Sequence, residues 1–305
     1  MKHSLRSSGV WTTARGEISL DPFLVLGIVN LPATSALNGS APLVGEQLLA
    51  VARGMQEAGA GMLDLGIPGN LPTPPVSEEE ELGRVIPALR TLVAHGHGPL
   101  PISVNTRRAS VARMALEEGA AVIHDLSGLS FDPEMAEKVA ATPAGLLLSH
   151  LTADPTEALA GGYGDLLMEV AVELGEAIQT AVDAGIDPRR VVLDPGIGFG
   201  SSPGRSLAAI REMGLLDEAG FPVVLGPEPD TYPASVAPDP VAEAVVSALA
   251  WERGVRIFRV HHVAAVTKAL TLVRQMVEDD PVAEAAQQAA AEVEAGGQLD
   301  FPARN

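Results

Sequence analysis

Eight short apolar runs, each separated from the next by a segment with helical spacing, constrain this chain most. The runs fall at residues 23–30, 61–66, 101–106, 121–125, 145–150, 191–194, 222–226 and 257–261. Between them, residues 45–58, 77–94, 109–119, 133–140, 165–184, 205–219 and 240–253 carry apolar side chains three and four apart, and 264–277 repeats the pattern after the last run. Runs this short suit buried strands, and the longer segments suit amphipathic helices. Eight strand–helix units in 305 residues predict an α/β protein with a single-domain (β/α)8 TIM barrel. A doubly wound sheet is the runner-up, although it ordinarily needs fewer strands. The expected organisation is an N-terminal arm or small hairpin over 1–20, the barrel over 21–280, and a tail over 281–305 that is helical or disordered.

Helix signals agree with this division. Ser77 precedes three glutamates with the spacing of a capping box. Asp132-Pro133 and Asp239-Pro240 each place a cap residue before a first-turn proline. Composition narrows the partners. Net charge is −19, which argues against nucleic acid and anionic membranes as electrostatic partners. There are no cysteines, so disulfides, thiolate metal sites and cysteine nucleophiles are excluded. No apolar run approaches the roughly 20 residues of a spanning helix, and the first 20 residues lack a signal-peptide core. The expectation is a cytoplasmic protein with a small-molecule substrate.

Each run ends in, or is soon followed by, a polar residue: Asn30, Asp64, Asn105, His124 with Asp125, His150, Asp194, Glu228 with Asp230, and Arg259 with His261. Strand ends of a barrel open onto one face, so these groups are expected to converge on a pocket. Asp64 and Asp125 either bond loop amides or face a ligand, and the sequence leaves both open. His150 alone reads first as a satisfied buried histidine. His261 and His262 are adjacent on a strand, which predicts rings on opposite faces. The most specific stretch is Val191-Val-Leu-Asp-Pro-Gly-Ile-Gly-Phe-Gly200. It is a strand that stops at one carboxylate, followed by glycines that let a ligand approach the backbone closely.

These motifs, in this order, resemble the dihydropteroate synthase family. Gly27-Ile-Val-Asn30, Leu63-Asp-Leu-Gly66, Ile102-Ser-Val-Asn-Thr106, Val122-Ile-His-Asp125, Leu193-Asp-Pro-Gly-Ile-Gly-Phe-Gly200 and Arg259-Val-His261 each resemble a family motif. The resemblance implies a pterin-binding barrel of a folate-biosynthesis transferase. It joins a pterin methyl pyrophosphate to 4-aminobenzoate, releasing pyrophosphate. It further implies magnesium and pyrophosphate at Asn30, a pterin edge at Asp194, and the pyrophosphate at Arg259 and His261. Substrate contacts fall to Asn30, Asn105, His124, Asp194, Phe199, Arg259 and His261, with Asp194, His261 and Glu228 as the candidate catalytic set. Family precedent implies a homodimer.

The chain departs from the family mainly where the chemistry is. The first loop is Pro32-Ala-Thr-Ser-Ala-Leu-Asn-Gly-Ser40, and the second, Pro68-Gly-Asn-Leu-Pro-Thr-Pro74, has no arginine. The third-strand aspartate is Asn105, the fourth-strand asparagine is His124, and the lysine after Gly-Phe-Gly is Ser201. The seventh strand's Ser-Arg-Lys is replaced by Gly226-Pro-Glu-Pro-Asp230. The expectation is a divergent transferase acting on a pterin or a related flat aryl or nitrogenous substrate. The alternatives are a non-catalytic pterin-binding paralogue and an ordinary dihydropteroate synthase. A two-metal barrel hydrolase is a weaker alternative, because Val29-Asn30 stands where such enzymes usually have His-x-His.

Overall fold

The computed structural model describes residues 9–31, 43–67, 76–95, 100–150, 165–197, 202–217, 220–227, 231–233, 235–236 and 239–278. The expectations that fall on the first two loops, on Phe199, Ser201, Glu228 and Asp230, and on the tail over 281–305 lie outside these residues. The chain opens with an antiparallel hairpin, β1 (Val10–Thr13) and β2 (Gly16–Ser19). The barrel strands follow as β3 (Leu24–Asn30), β4 (Met62–Gly66), β5 (Ile102–Asn105), β6 (Val122–Asp125), β7 (Gly145–Ser149), β8 (Val191–Asp194), β9 (Val224–Leu225) and β10 (Ile257–Val260). All eight runs read from the sequence are strands, trimmed by a residue or two at their ends. They pair in parallel in the order β8-β7-β6-β5-β4-β3-β10-β9, and a parallel bridge between Leu193 and Val223 joins the two ends. The sheet therefore closes on itself as a barrel.

Among the described residues, the helices are α1 (Gly45–Glu57), α2 (Glu78–His95), α3 (Ala109–Glu117), α4 (Met135–Ala140), α5 (Asp165–Asp183), α6 (Pro203–Glu212), α7 (Gly214–Asp217), α8 (Pro240–Glu252) and α9 (Val263–Glu278). Their starts follow from local chemistry. Ser77 Oγ accepts from the Glu80 amide at 3.2 Å, and four glutamates in the first turn of α2 suit the positive end of its dipole. Asp239 Oδ1 accepts from Val241 and Ala242 amides at 2.9 and 2.8 Å, with Pro240 in the first turn of α8. Asp132 behaves differently from the expectation. It splits its carboxylate between the Glu134 amide and the Ala109 amide of α3, and α4 begins only at Met135. The segment predicted as one helix over 205–219 is instead the pair α6 and α7, broken at Met213.

Strand alternation sorts the core into two layers. On one side of the sheet, Val25, Leu63, Ile123, Leu146, Val191 and Phe258 pack with helix residues such as Leu48, Leu89, Val246 and Leu270. On the other, Leu24, Leu26, Met62, Val122, Leu147, Val192, Val224 and Ile257 fill the barrel. Trp11 of the hairpin joins this inner cluster, is fully buried, and donates its indole N–H to Arg190 O at 2.9 Å. The hairpin thus plugs the end of the barrel where the strands begin. The opposite end is left for the polar residues that finish each strand.

Candidate functional site

Period-two alternation puts the polar strand-end residues on the same side as the inner apolar cluster. On β4, Met62 lies inside, and Asp64 is two residues on; on β8, Val192 is followed by Asp194; on β10, Ile257 is followed by Arg259. A buried polar layer results, directly above the apolar filling.

Its centre is Asp64. Asp64 Oδ2 accepts from Arg259 Nε at 2.7 Å and faces His124 Nδ1 at 3.2 Å. On the other side of the ring, His124 Nε2 lies 2.8 Å from Ser149 Oγ. Ser149 in turn donates to Asp194 Oδ2 at 2.9 Å, and Asp194 Oδ1 accepts from the Gly196 amide at 2.9 Å. Asp64 and Asp194 are 1% and 2% exposed, and His124 and Ser149 are equally enclosed. The acceptors around His124 favour a proton on each ring nitrogen. A carboxylate can only accept, so Nδ1 carries a proton towards Asp64. Ser149 spends its own proton on Asp194, so Nε2 carries a second proton towards the hydroxyl. This arrangement favours the imidazolium form of His124. Burial opposes its charge, but the Asp64 carboxylate and the hydrogen bonds to Asp194 and Asp64 outweigh that and raise its pKa. Burial likewise pushes the Asp64 carboxyl up, but His124 and Arg259 reverse this and hold it far below the usual carboxylate range. Among the described residues, two cations and two carboxylates thus face one another inside this buried layer, in keeping with the requirement that buried charges be paired.

Asp64 and Asp125, which the sequence left open together, separate cleanly. Asp125 bonds the loop that follows it, accepting from Ser127 N, Ser127 Oγ and Leu129 N at 2.8, 2.6 and 2.9 Å. Burial nevertheless pushes its carboxyl up, against those bonds. His150 is buried, with Nε2 3.1 Å from Glu173 Oε2. Its backbone matters as well. Gly196 has φ +66°, and a Cβ there would sit 1.9 Å from His150 O, so the loop after Asp194 can pass β7 only as glycine.

Nearer the mouth, Asn105 is half-buried at the end of β5, its Nδ2 3.4 Å from His124 Nδ1. Asn30, also half-buried, ends β3 and turns Nδ2 towards His261 Nε2 at 3.5 Å. The structure thus brings Asn105, His124, Asp194 and Arg259 into one connected cluster and sets Asn30 and His261 beside each other. Two residues escaped the sequence reading. Ser149 links His124 to Asp194, and its signal was its place two residues after inward-facing Leu147. Glu243 is 4% exposed on the first turn of α8 and accepts from the His261 and His262 amides at 3.0 and 2.7 Å. The expectation of opposed rings at 261 and 262 fails because β10 stops at Val260. The two histidines lie in the turn before α9, and both Nδ1 atoms face Glu243. Among the described residues, no group of three or more histidines and acids is arranged to hold a metal ion.

The chain matches the pterin binding enzyme family model over residues 26–261. It is 30% identical over 283 residues to a dihydropteroate synthase of Bacillus subtilis, covering 90% of this chain and 96% of that protein. A dihydropteroate synthase of Mycobacterium leprae is 33% identical over 283 residues, covering 87% and 97%. Among solved structures, the Xanthomonas albilineans dihydropteroate synthase with 4-aminobenzoic acid superposes with a TM-score of 0.75 at 33% identity, covering 90% of this chain and all of that one. By fold, motif order and these relatives, the chain belongs to the pterin-binding enzyme family.

Proposed function

We propose that this dihydropteroate synthase-like barrel is a divergent transferase acting on a pterin or a related flat nitrogenous substrate. The observation that carries it is the buried layer itself: Asp194 at the end of β8, tied through Ser149 and His124 to the Asp64–Arg259 pair. A carboxylate in such a place accepts N–H bonds from the edge of a flat heterocycle. Arg259, anchored through Nε to Asp64, and His261 at the barrel mouth are the groups to hold an anionic leaving group. In the transfer, the bond from the methylene carbon to pyrophosphate oxygen breaks and the aryl amine nitrogen bonds that carbon, losing a proton. The chain's share is to orient the heterocycle at Asp194 and to stabilise the departing charge at Arg259 and His261.

Magnesium fits this site in a limited way. It prefers oxygen donors and is often held by one or two protein oxygens together with substrate phosphates. Asn30 offers one carboxamide oxygen at the mouth, so a phosphate-bearing ligand supplies the rest; the ion's contribution is neutralisation of the pyrophosphate charge. We further read the protein as a cytoplasmic homodimer. Among the described residues, no helix is long and apolar enough to cross a membrane. Val241, Val245 and Leu249 form an exposed apolar stripe on α8, at 69%, 53% and 53% exposure, that suits self-association.

Calorimetry against a pterin pyrophosphate, with and without magnesium, tests the reading, followed by a product assay with 4-aminobenzoate. Binding is expected, strengthened by magnesium; none at millimolar ligand rejects every pterin reading. Binding without turnover supports a non-catalytic pterin-binding protein.

A further inference from the structure

A buried carboxylate stands behind His261 and does more than close a helix. The Glu243 bonds to the His261 and His262 amides occupy the positive N-terminal end of α9, and a cap requires nothing further. The same two oxygens also face both rings: Oε2 is 3.0 Å from His262 Nδ1, and Oε1 is 3.8 Å from His261 Nδ1. On the far side of the His261 ring, Nε2 points to Asn30 across β3 and β10. A carboxylate behind Nδ1 fixes the plane and tautomer of an imidazole and directs its Nε2 at what lies in front. Burial pushes the Glu243 carboxyl up, but the nearby His261 ring and the bonds from the two amides outweigh this and keep it below the usual range.

We infer that Glu243 is a positioning residue for the anion site, its carboxylate aiming Nε2 of His261 at the barrel mouth beside Asn30. This rests on the reading of His261 as a ligand for pyrophosphate. Glu243→Gln keeps the side-chain size but can accept at only one of its two ends. The probe is inorganic pyrophosphate with magnesium, titrated by calorimetry into the full-length protein. Glu243→Gln is expected to weaken binding about tenfold, the scale at which residues behind a ligating histidine act. In a His261→Ala background the same change is expected to cost nothing more. A full tenfold loss in that background overturns the inference and leaves Glu243 as a helix cap. Glu243→Asp, which retains the carboxylate, is expected to recover part of the affinity. A second measurement stands apart from affinity. With 15N-labelled histidine, at a pH where the ring is neutral, His261 is expected as the Nδ1–H tautomer in the native protein and as a mixture in Glu243→Gln. Unchanged ring signals overturn the inference. Failure of the native protein to bind pyrophosphate rejects the anion site instead, and the ring spectra then still decide the role of Glu243.

Discussion

Asp64→Asn is the sharpest perturbation of the buried layer. One oxygen, Oδ2, serves both Arg259 Nε and His124 Nδ1. The asparagine keeps one neutral acceptor but removes the charge that both cations face. Removing one partner from a buried ionic pair costs about 3–5 kcal/mol, because the remaining charge is left uncompensated. An unfolding entropy of roughly 2.1 cal/mol/K per residue gives about 0.6 kcal/mol/K for a chain of this length, so the expected fall in Tm is about 5–8 °C. The layer is closed to solvent, so the loss should change little between low and moderate salt.

The variant should also change the pH dependence of stability. The pKa of His124 is raised in the folded protein. Its stabilising contribution is therefore complete below the unfolded value of about 6.5 and is lost as pH rises through the folded value. The pKa of Asp64 is lowered, so its contribution is present above about 3.9 and is lost as pH falls towards its folded value. Native protein should thus lose stability on the alkaline side. Asp64→Asn, lacking the largest cause that raises His124, should lose much less there. Urea unfolding at about pH 6 and about pH 9 reads both slopes. A cost under about 1 kcal/mol, or an alkaline slope equal to the native one, would refute the charged-layer account.

Three further outcomes follow from particular contacts. Asp194→Ala should abolish binding of the native ligand, and it strands the Ser149 hydroxyl and Gly196 amide at a cost of about 1–3 kcal/mol; unchanged affinity by calorimetry would remove Asp194 from the site. Gly196→Ala must leave a φ of +66° and clear a contact of 1.9 Å with His150 O, so urea unfolding should show a loss of more than about 1 kcal/mol. Trp11→Ala empties the floor of the barrel and should cost about 3–5 kcal/mol by thermal unfolding; a negligible loss would mean that the hairpin is an ornament.

The barrel was readable because its signal is periodic and repeated. Val191 and Leu193 face the helices, while Val192 and Asp194 face inward, and a period of two says as much without a structure. The carboxylates at strand ends were readable for the same reason. What escaped depended on partners distant in sequence. Glu243 sits in a helical pattern where an acid normally reads as solvated, and only the turn at 261–262, 18 and 19 residues away, makes it buried. Asp64 and Asp125 share a local pattern, yet one finds Arg259 195 residues on and the other finds Ser127 two residues on. The break between α6 and α7 had no strong local marker beyond Gly214.

The departures from the family pattern make sense as one electrostatic problem. Among the described residues, Asp64, Asp194 and Arg259 alone would leave the buried layer one negative charge in excess, in a place where an unpaired charge is costly. The resemblance assigns the nearby cation to a seventh-strand lysine, and this chain has Gly226-Pro-Glu-Pro-Asp230 at that point. His124 stands where the resemblance has asparagine. Held between Asp64 and the Ser149–Asp194 pair, it supplies the missing positive charge from inside the wall. That cation is part of the protein and does not travel with, or reach out to, a ligand. A heterocycle docking at Asp194 therefore meets a carboxylate whose charge is already balanced. Hydrogen-bond fit, more than net charge, would then select it, and that is a physical reason to expect the fold of the relatives to persist here with a different preference for substrate.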